Sequence, residues 1–440
     1  MLEFALYYLD IINDIFWAYL GVPSLILMGT YLTIKSRFFQ IRKFPAINRT
    51  FFKFLGGCQK VSNRGIPPLQ AFFAAIGGCI GIGNIVGVCT AVQIGGPGSI
   101  FWIWAAALVG MLVKYGEIFL GIKYRIKNDN NSYDGGPMIY LQHAFNNKFL
   151  PKLVAFALCI YGVEVYMFRI ITHSISTTWN IDPYITIFLL LASILIAGNG
   201  GIKLVGKISS ILIPIFLLMF FGISMWVFIL NLKLFPSIIA SIFKGAFTGH
   251  AALGGFAGST LMMTISNGVK MACYTGDIGI GYASVIHSES EEANPNKQAS
   301  LGIFGIFLDT FVICTITLFL ILITGTWSQG IHEACIVSVS LAPYFPQIEL
   351  IWPLFIFLLG YSSLIAFFAV GKKSAKFLSP KYGSKIFFTY AIFAFLFFSF
   401  IGEPRHAFAI MSITGMTLLT LNLLGIFLMR DKIEFNLDNK

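Results

Sequence analysis

Residues 77–98 read GGCIGIGNIVGVCTAVQIGGPG, and eight of these 22 residues are glycine. The stretch lies within a run from Gly65 to Val113 that contains no Lys, Arg, Asp or Glu. An uncharged apolar run of this length is typical of membrane-spanning helices and has room for two of them. Glycine weakens a helix through its backbone entropy, and unwound backbone inside a bilayer is tolerated only where protein buries it or it lines a cavity. We therefore predict a transmembrane helix that is interrupted between Gly77 and Gly87.

Asn84 lies within this predicted interruption. Its side-chain carbonyl and the freed backbone carbonyls could converge on a cation, and the alternative is a hydrogen bond between packed helices. The interruption frees the backbone amides of residues 81–84, which include Gly81, Gly83 and Asn84. These amides are natural partners for a substrate carboxylate, because the N-terminus of a half-helix favours negative charge. The alternative for the glycines is that they only permit a close helix crossing.

The composition places the whole chain in a membrane. Its residues are 57% hydrophobic and 11% charged, which predicts an all-α polytopic membrane protein. The net charge of +11 is then interpreted as topology, and a nucleic-acid partner is not expected. The seven cysteines form no CxxC pair, and the GxxxxGK pattern at Gly201–Lys207 lacks the following Ser or Thr of a phosphate-binding loop. We expect no enzyme activity, no cofactor and no obligate protein partner.

Hydropathy and charge divide the chain into about eleven spans. The spans cover about 11–34, 69–94, 99–122, 151–176, 184–200, 208–231, 236–268, 298–325, 350–371, 386–402 and 406–429. Between residues 35 and 64, Lys and Arg occur eight times with no acidic residue among them, so this loop is predicted to be cytoplasmic. The same rule places residues 372–385 and the C-terminus in the cytoplasm, and the N-terminus outside the cell. The expected location is the cell inner membrane.

The spans fall into two halves of opposite orientation. Setting aside an extra N-terminal helix (1–34) and the basic loop (35–68), ten spans remain, five in 69–231 and five in 236–430, followed by a tail (431–440). The first span of the second half carries its own glycine break at His250–Gly258, which includes Gly254, Gly255 and Phe256. Because five is odd, the halves form an inverted repeat. Paired broken helices in inverted halves indicate a substrate site near the bilayer midplane, and Phe256 is a candidate pocket wall.

An ordered set of motifs resembles the alanine or glycine:cation symporter family. The matching segments are Gly81–Val88, Gly95–Trp104, Lys114–Arg125 around Glu117, Gly135–Met138, Gly254–Gly258 and Phe307–Thr315 with Asp309. The resemblance implies a leucine-transporter-type fold and sodium-coupled symport of a small amino acid such as alanine or glycine. It also implies sodium ligands at Ser362 and Ser363, with Asn84 as a further candidate. The alternative for the two serines is a bond to a carbonyl of their own helix.

The departures from the family pattern fall in the substrate pocket. Ile171 and His173 stand where the family has Gln and Asn, and Phe367 stands where it has Trp. The family's Asn-Glu is replaced by Gly276-Asp277. We therefore expect a neutral amino acid, alanine- or glycine-like or somewhat larger. Proton coupling through Asp309 or Glu117, or an acidic substrate held by Arg169, remains open, and a channel or a substrate-sensing receptor is the rival from another class.

Overall fold

The computed structural model describes residues 8, 11–56, 64–128, 131–248, 261–401 and 404–437, with no side chains described for 404–409. Within these ranges the regular secondary structure is helical, apart from one short hairpin and one isolated bridge. In the hairpin Ile126–Lys127 pairs antiparallel with Tyr133–Asp134, and the bridge joins Ile66 to Ser290. The all-α prediction is confirmed.

The helices of the first half, in chain order, are α1 (Ile11–Lys35), α2 (Phe39–Arg42), α3 (Phe44–Leu55), α4 (Pro68–Cys79), α5 (Val86–Gly95), α6 (Ser99–Lys123), α7 (Pro137–Phe145), α8 (Phe149–Tyr161), α9 (Val165–Trp179), α10 (Pro183–Asn199) and α11 (Gly201–Leu230). Those of the second half are α12 (Phe235–Thr248), α13 (Leu261–Gly276), α14 (Tyr282–His287), α15 (Pro295–Ile306), α16 (Thr315–Thr324), α17 (Ile336–Leu341), α18 (Ile348–Leu378), α19 (Gly383–Phe400) and α20 (Pro404–Leu428). A π-helical turn, Phe307–Cys314, joins α15 to α16.

Eight helical segments of the described chain are long and apolar enough to cross a membrane. They are α1, α6, α8 with α9, α11, α15 with α16, α18, α19 and α20. The bent pair α4–α5 adds a ninth span, and α10 is an apolar helix of 17 residues. In α6 and α18 the most apolar window is 83% buried, whereas in α11 and α19 it is only 28% buried. The enclosed helices therefore form the centre of the bundle, while α11 and α19 face outward with apolar side chains, as lipid contact requires. The total of eleven spans stays a prediction.

Several basic segments of the described chain meet at one end of the bundle, which we call the basic face. At this basic face Lys35 of α1 binds Asp431 at 2.7 Å, and Lys123 of α6 binds Glu434 at 2.9 Å. Lys373, near the end of α18, reaches Glu289 at 2.6 Å and Asp134 at 3.2 Å. Segments far apart in sequence, each predicted to be cytoplasmic, thus meet in space.

The connections predicted to be external meet at the opposite end. Gln93 donates to the carbonyl of Ile331, and the Trp179 indole donates to the carbonyl of Leu350 at 2.9 Å. Asn231, at the end of α11, donates to the Tyr344 hydroxyl. Because Phe235 follows directly, α12 begins at this end, whereas α4 begins at the basic face.

Three segments differ from the sequence-based boundaries. The helix that begins at Gly201 includes Lys203 and Lys207, which we expected in a turn, because lysine is a good helix former. Helix α13 continues to Gly276 through part of the predicted loop, and Lys270 within it pairs with Asp14 at 3.6 Å. The span 149–179 is interrupted between α8 and α9, where Glu164 caps the second half in a non-helical conformation.

Candidate functional site

The interrupted helix has the break that its glycines predict. Helix α4 ends at Cys79, Gly81 is extended, and a 3₁₀ turn at Ile82–Asn84 leads into α5, so that the two halves are bent by 57°. The side-chain oxygen of Asn84 accepts the freed backbone N–H of Gly81 at 2.9 Å. Asn84 is fully buried, so this bond satisfies a backbone donor that the bilayer interior would otherwise leave without a partner.

The amide group of Asn84 connects this break to the second half of the chain. Its Nδ2 donates to Asp309 Oδ1 at 2.6 Å and approaches the sulfur of Cys314 at 3.3 Å. The other oxygen of Asp309 accepts from the Thr310 hydroxyl at 2.9 Å. No Lys, Arg or His of the described ranges lies within 4.0 Å of this buried carboxylate. The contact between Asn84 and Asp309 is therefore an interhelical hydrogen bond. The oxygens of Asp309 keep further lone pairs that face the region beside the break.

Ser362 and Ser363 of α18 lie directly against the first half of the broken helix. Their hydroxyls donate to the carbonyl of Gly77 at 3.2 and 2.8 Å. Each hydroxyl also lies within hydrogen-bond distance of the Leu359 carbonyl on its own helix, at 2.9 and 3.2 Å, so its single hydrogen is shared between the two carbonyls. A Cβ at Gly81 would lie 2.6 Å from the Ser363 hydroxyl, so the glycine permits this approach. Back-bonding and contact with the broken helix thus occur together.

Two further hydroxyls near this break were not identified from the sequence. Ser209 of α11 lies beside Gly77, since a Cβ there would be 2.8 Å from its oxygen, and Tyr282 of α14 presses its hydroxyl against Gly78. Both hydroxyls are buried and have no hydrogen-bond partner within the described residues. The sequence shows them only as a serine in an apolar helix and a tyrosine after a turn, with no indication of the direction in which either points.

The predicted pocket residues separate into two groups. Ile171 is buried, and together with Ile82 of the break it packs against Gly360. A Cβ atom added at Gly360 would lie 2.6 Å from the Ile171 methyl and 2.9 Å from the Ile82 methyl. Phe367 is buried against Tyr282 and Tyr161, with ring centroids at 4.4 and 5.3 Å.

His173 lies elsewhere. Two residues rotate a helix by about 200°, so it points away from the face of Ile171 and is exposed. Gly83 is half-buried in the 3₁₀ turn. Gly254, Gly255 and Phe256 lie outside the described residues.

A buried ion-pair network lies beside the break. Lys114 of α6, only 3% exposed, donates to the carbonyl of Gly276 at 3.0 Å and to Asp277 Oδ2 at 2.9 Å. Its ammonium also lies 3.9 Å from Glu117, whose second oxygen accepts from Asn422 at 3.0 Å. The Gly276-Asp277 departure from the family pattern therefore supplies the partner of a buried lysine at the end of α13.

A small cavity of about 10 Å³, room for one water molecule, lies between this network and Asp309. Cys79, Lys114, His287 and Asp309 are among the residues that line it. Burial lowers the pKa of His287 to about 3, so its imidazole is neutral, and its Nδ1 lies 2.8 Å from the side-chain nitrogen of Gln298. Lys114 is therefore the one cation in the described lining of this cavity.

The remaining charged residues of the spans do not join the break through any described contact. Arg169 donates to the carbonyl of Phe398 on α19 at 2.7 Å. Glu164 is 6% exposed, and no Lys, Arg or His of the described chain pairs with it. No three His, Cys, Asp or Glu side chains of the described ranges gather as a metal-binding group. Any cation held here would have neutral oxygens as its main ligands.

The chain is a bundle of apolar spans in which an interrupted helix packs against buried neutral oxygens. These features are typical of α-helical membrane transporters. The chain belongs to the sodium:alanine symporter family, whose model matches residues 3–439. It is thus a multi-pass membrane protein of cation-coupled amino-acid transport, and the family comprises transporters rather than enzymes. The resemblance found in the motifs is confirmed.

Similar proteins include an uncharacterized transporter of Haemophilus influenzae, 37% identical over 73% of this chain and 70% of the relative. The sodium/alanine symporter AgcS of Methanococcus maripaludis is 29% identical over 86% and 84%. The probable sodium/glutamine symporter GlnT of Bacillus subtilis is 28% identical over 97% and 88%. Among solved structures, a manganese transporter of Eremococcus coleocola aligns with a TM-score of 0.51 at 12% identity, covering 80% of this chain and 75% of that one, which shows a likeness of fold alone.

Proposed function

We propose that this protein is a sodium-coupled symporter that carries a small neutral amino acid, larger than glycine, into the cell by alternating access around two interrupted helices. The observation that carries the proposal is the approach of two adjacent hydroxyls, Ser362 and Ser363, to the Gly77 carbonyl, directly before the break at Gly81. The relatives that are named sodium/alanine and sodium/glutamine symporters support the same coupling ion.

The chemistry of these oxygens suits sodium. A hard cation prefers oxygen ligands, and in transporters unwound carbonyls and half-helix ends supply them. The Gly77 carbonyl and the hydroxyls of Ser362 and Ser363 are neutral, and the orphan hydroxyl of Ser209 lies beside Gly77. A buried hydroxyl without a partner is costly, and a bound cation would relieve that cost. Asn84 and its partner Asp309 supply the next oxygens along the break.

The substrate carboxylate is proposed to bind at the break itself. The Gly81 amide already donates to Asn84, so a carboxylate that binds there must displace the Asn84 oxygen or share the amide with it. Ile171 and Phe367 provide apolar walls beside the break, where amide and indole groups would have been expected. A phenylalanine ring is smaller than an indole, so we expect a pocket that accepts a side chain larger than a methyl group. Gly254, Gly255 and Phe256 remain predictions for the opposite wall.

An acidic substrate is the weaker alternative. The Arg169 guanidinium, the proposed partner of such a substrate, has one of its donors engaged by the Phe398 carbonyl on α19. We therefore propose a neutral side chain, and proton coupling becomes an outcome of the transport assay described below.

The proposed orientation follows from the basic face. Lys and Arg concentrate in cytoplasmic loops, so the face that gathers Lys35, Lys123 and Lys373 is assigned to the cytoplasm. This assignment puts the N-terminus outside and the C-terminus inside, in the cell inner membrane. The opposite starting ends of α4 and α12 support the five-plus-five inverted repeat.

Purified protein in proteoliposomes tests the sodium site. Ser362→Ala and Ser363→Ala each remove one oxygen, worth about 1–2 kcal/mol, so the sodium concentration for half-maximal uptake should rise roughly 5–30-fold. The matched control is Ser374→Ala on the same helix, whose buried hydroxyl has no described partner. Unchanged sodium dependence in both variants, or an equal change in the control, would exclude this site.

A further inference from the structure

The loop between α1 and α4 presents a surface that lies outside the candidate transport site. It contains the short helices α2 and α3 and lies at the basic face of the bundle. We define the basic amphipathic surface by its exposed cations and its exposed apolar side chains. These are Arg37, Arg42, Arg49 and Lys53, together with Phe38, Ile41, Phe52 and Leu55.

Within the part of the chain that the structure describes, the cations of this surface have no acidic partner. None of Arg37, Arg42, Arg49 and Lys53 forms an ion pair or hydrogen bond with another described residue, whereas nearby Lys35 pairs with Asp431. Arg49 and Lys53 lie one turn apart on α3, so both charges point to the same side. Four neighbouring positive charges without partners form a site for anionic groups.

Apolar side chains stand next to these charges. Phe52 is 62% exposed, Leu55 54%, Ile41 55% and Phe38 54%. Helix α3 has a buried stripe as well, Ile47 and Phe51, so its exposed apolar residues are additional to those that hold it on the protein. A helix with cations on one side and exposed Phe and Leu on another is typical of the boundary between headgroups and acyl chains.

The buried stripe connects this surface to the candidate transport site. The Phe51 ring lies 5.2 Å from that of Phe72 on α4, the first half of the broken helix. Phe44 lies 4.9 Å from Phe307, which begins the π-helical turn that carries Asp309. A displacement of α3 would therefore be transmitted by direct contact to α4 and to the π-helical turn.

From these contacts we propose that the basic amphipathic surface binds anionic phospholipids of the cytoplasmic leaflet, and that this binding sets the rate of transport by holding α3 against α4 and the π-helical turn. The headgroup phosphates pair with the four cations while Phe52 and Leu55 enter the acyl region. Each basic residue near an anionic leaflet contributes about fivefold to lipid affinity, so removal of two should weaken it about 25-fold.

The test compares uptake in vesicles of phosphatidylcholine alone with uptake in vesicles that also contain phosphatidylglycerol. The full-length protein should transport faster with phosphatidylglycerol, and Arg49→Gln/Lys53→Gln should lose most of that difference while it still transports in phosphatidylcholine. The control is Lys381→Gln/Lys385→Gln, which removes the same charge from exposed positions before and within α19. An equal loss in the control, or no lipid dependence of the unmodified protein, would overturn the proposal.

A second readout reports lipid contact without transport. Phe52→Trp adds a fluorophore at the surface, and its signal is taken as the difference from the unmodified protein in the same vesicles. Brominated phosphatidylglycerol should quench it more strongly than brominated phosphatidylcholine, and Arg49→Gln/Lys53→Gln should abolish the difference. Equal quenching by both lipids would show no preference for anionic lipid and would refute the lipid-binding proposal. This result can be read even if the protein transports in no vesicle. Failure of transport in every vesicle would contradict the proposed function and not the lipid-binding proposal.

Discussion

Removal of the buried lysine should destabilise the protein far more than removal of an exposed one. Lys114 is 3% exposed and donates to the carbonyls of Gly276 and Asp277 and to the Asp277 carboxylate. Lys114→Met leaves these buried acceptors without a charged donor. Breaking a buried ion pair by removal of one partner costs about 3–5 kcal/mol. For a chain longer than a 250-residue domain, this corresponds to a fall in Tm on the order of 5 °C.

The assay is thermal unfolding of purified protein in one detergent and buffer. Lys114→Met/Asp277→Asn removes both charges of the pair and should recover at least half of the lost Tm, because the carboxylate is no longer left buried alone. The control is Lys35→Met, which breaks the exposed pair with Asp431 and should leave the Tm nearly unchanged, because water and salt screen exposed charges. The reasoning is refuted if Lys114→Met behaves like this control, or if the double variant is no more stable than Lys114→Met.

Three further outcomes are expected. A membrane-impermeant thiol reagent should label the exposed Cys335 from outside intact cells, and labelling only after permeabilisation would reverse the topology. Phe367→Trp should shift preference toward alanine by roughly 10–200-fold, the effect of one or two methylenes in a pocket, and unchanged competition by larger amino acids would contradict this pocket wall. Gly81→Ala should reduce transport to near background, because its Cβ would lie 2.6 Å from the Ser363 hydroxyl, and full activity would show that the approach is not required.

The sequence predicts the spans well because the physical signal is strong. Charged residues cannot be scattered through a bilayer, so Lys35 and Lys123 mark the ends of α1 and α6 in the sequence and in the structure alike. The interruption near Gly81 is equally predictable, since its glycines carry a backbone cost that an ordinary helix avoids. By contrast, the break before Glu164 has no run of glycines and was not expected.

The site is less predictable because it depends on the direction of each side chain. Ile171 and His173 were predicted together from one motif, yet a rotation of about 200° separates them on their helix. Ser209 and Tyr282 reach the break from α11 and α14, and no sequence spacing relates them to Gly77 or Gly78. The pairing of Lys114 with Asp277 likewise depends on where α13 ends. The predicted span stopped at residue 268, whereas the helix continues to Gly276 and brings Asp277 to the lysine.

The most direct test of the central claim is uptake of a neutral amino acid into proteoliposomes under an imposed ion gradient. An inward sodium gradient should drive accumulation above the external concentration, with competition by neutral amino acids larger than glycine, and loss of α-carboxylate from a competitor should abolish its effect. A proton gradient without sodium should give no accumulation. Accumulation driven equally by protons alone, or equilibration of substrate without accumulation, would contradict sodium-coupled symport.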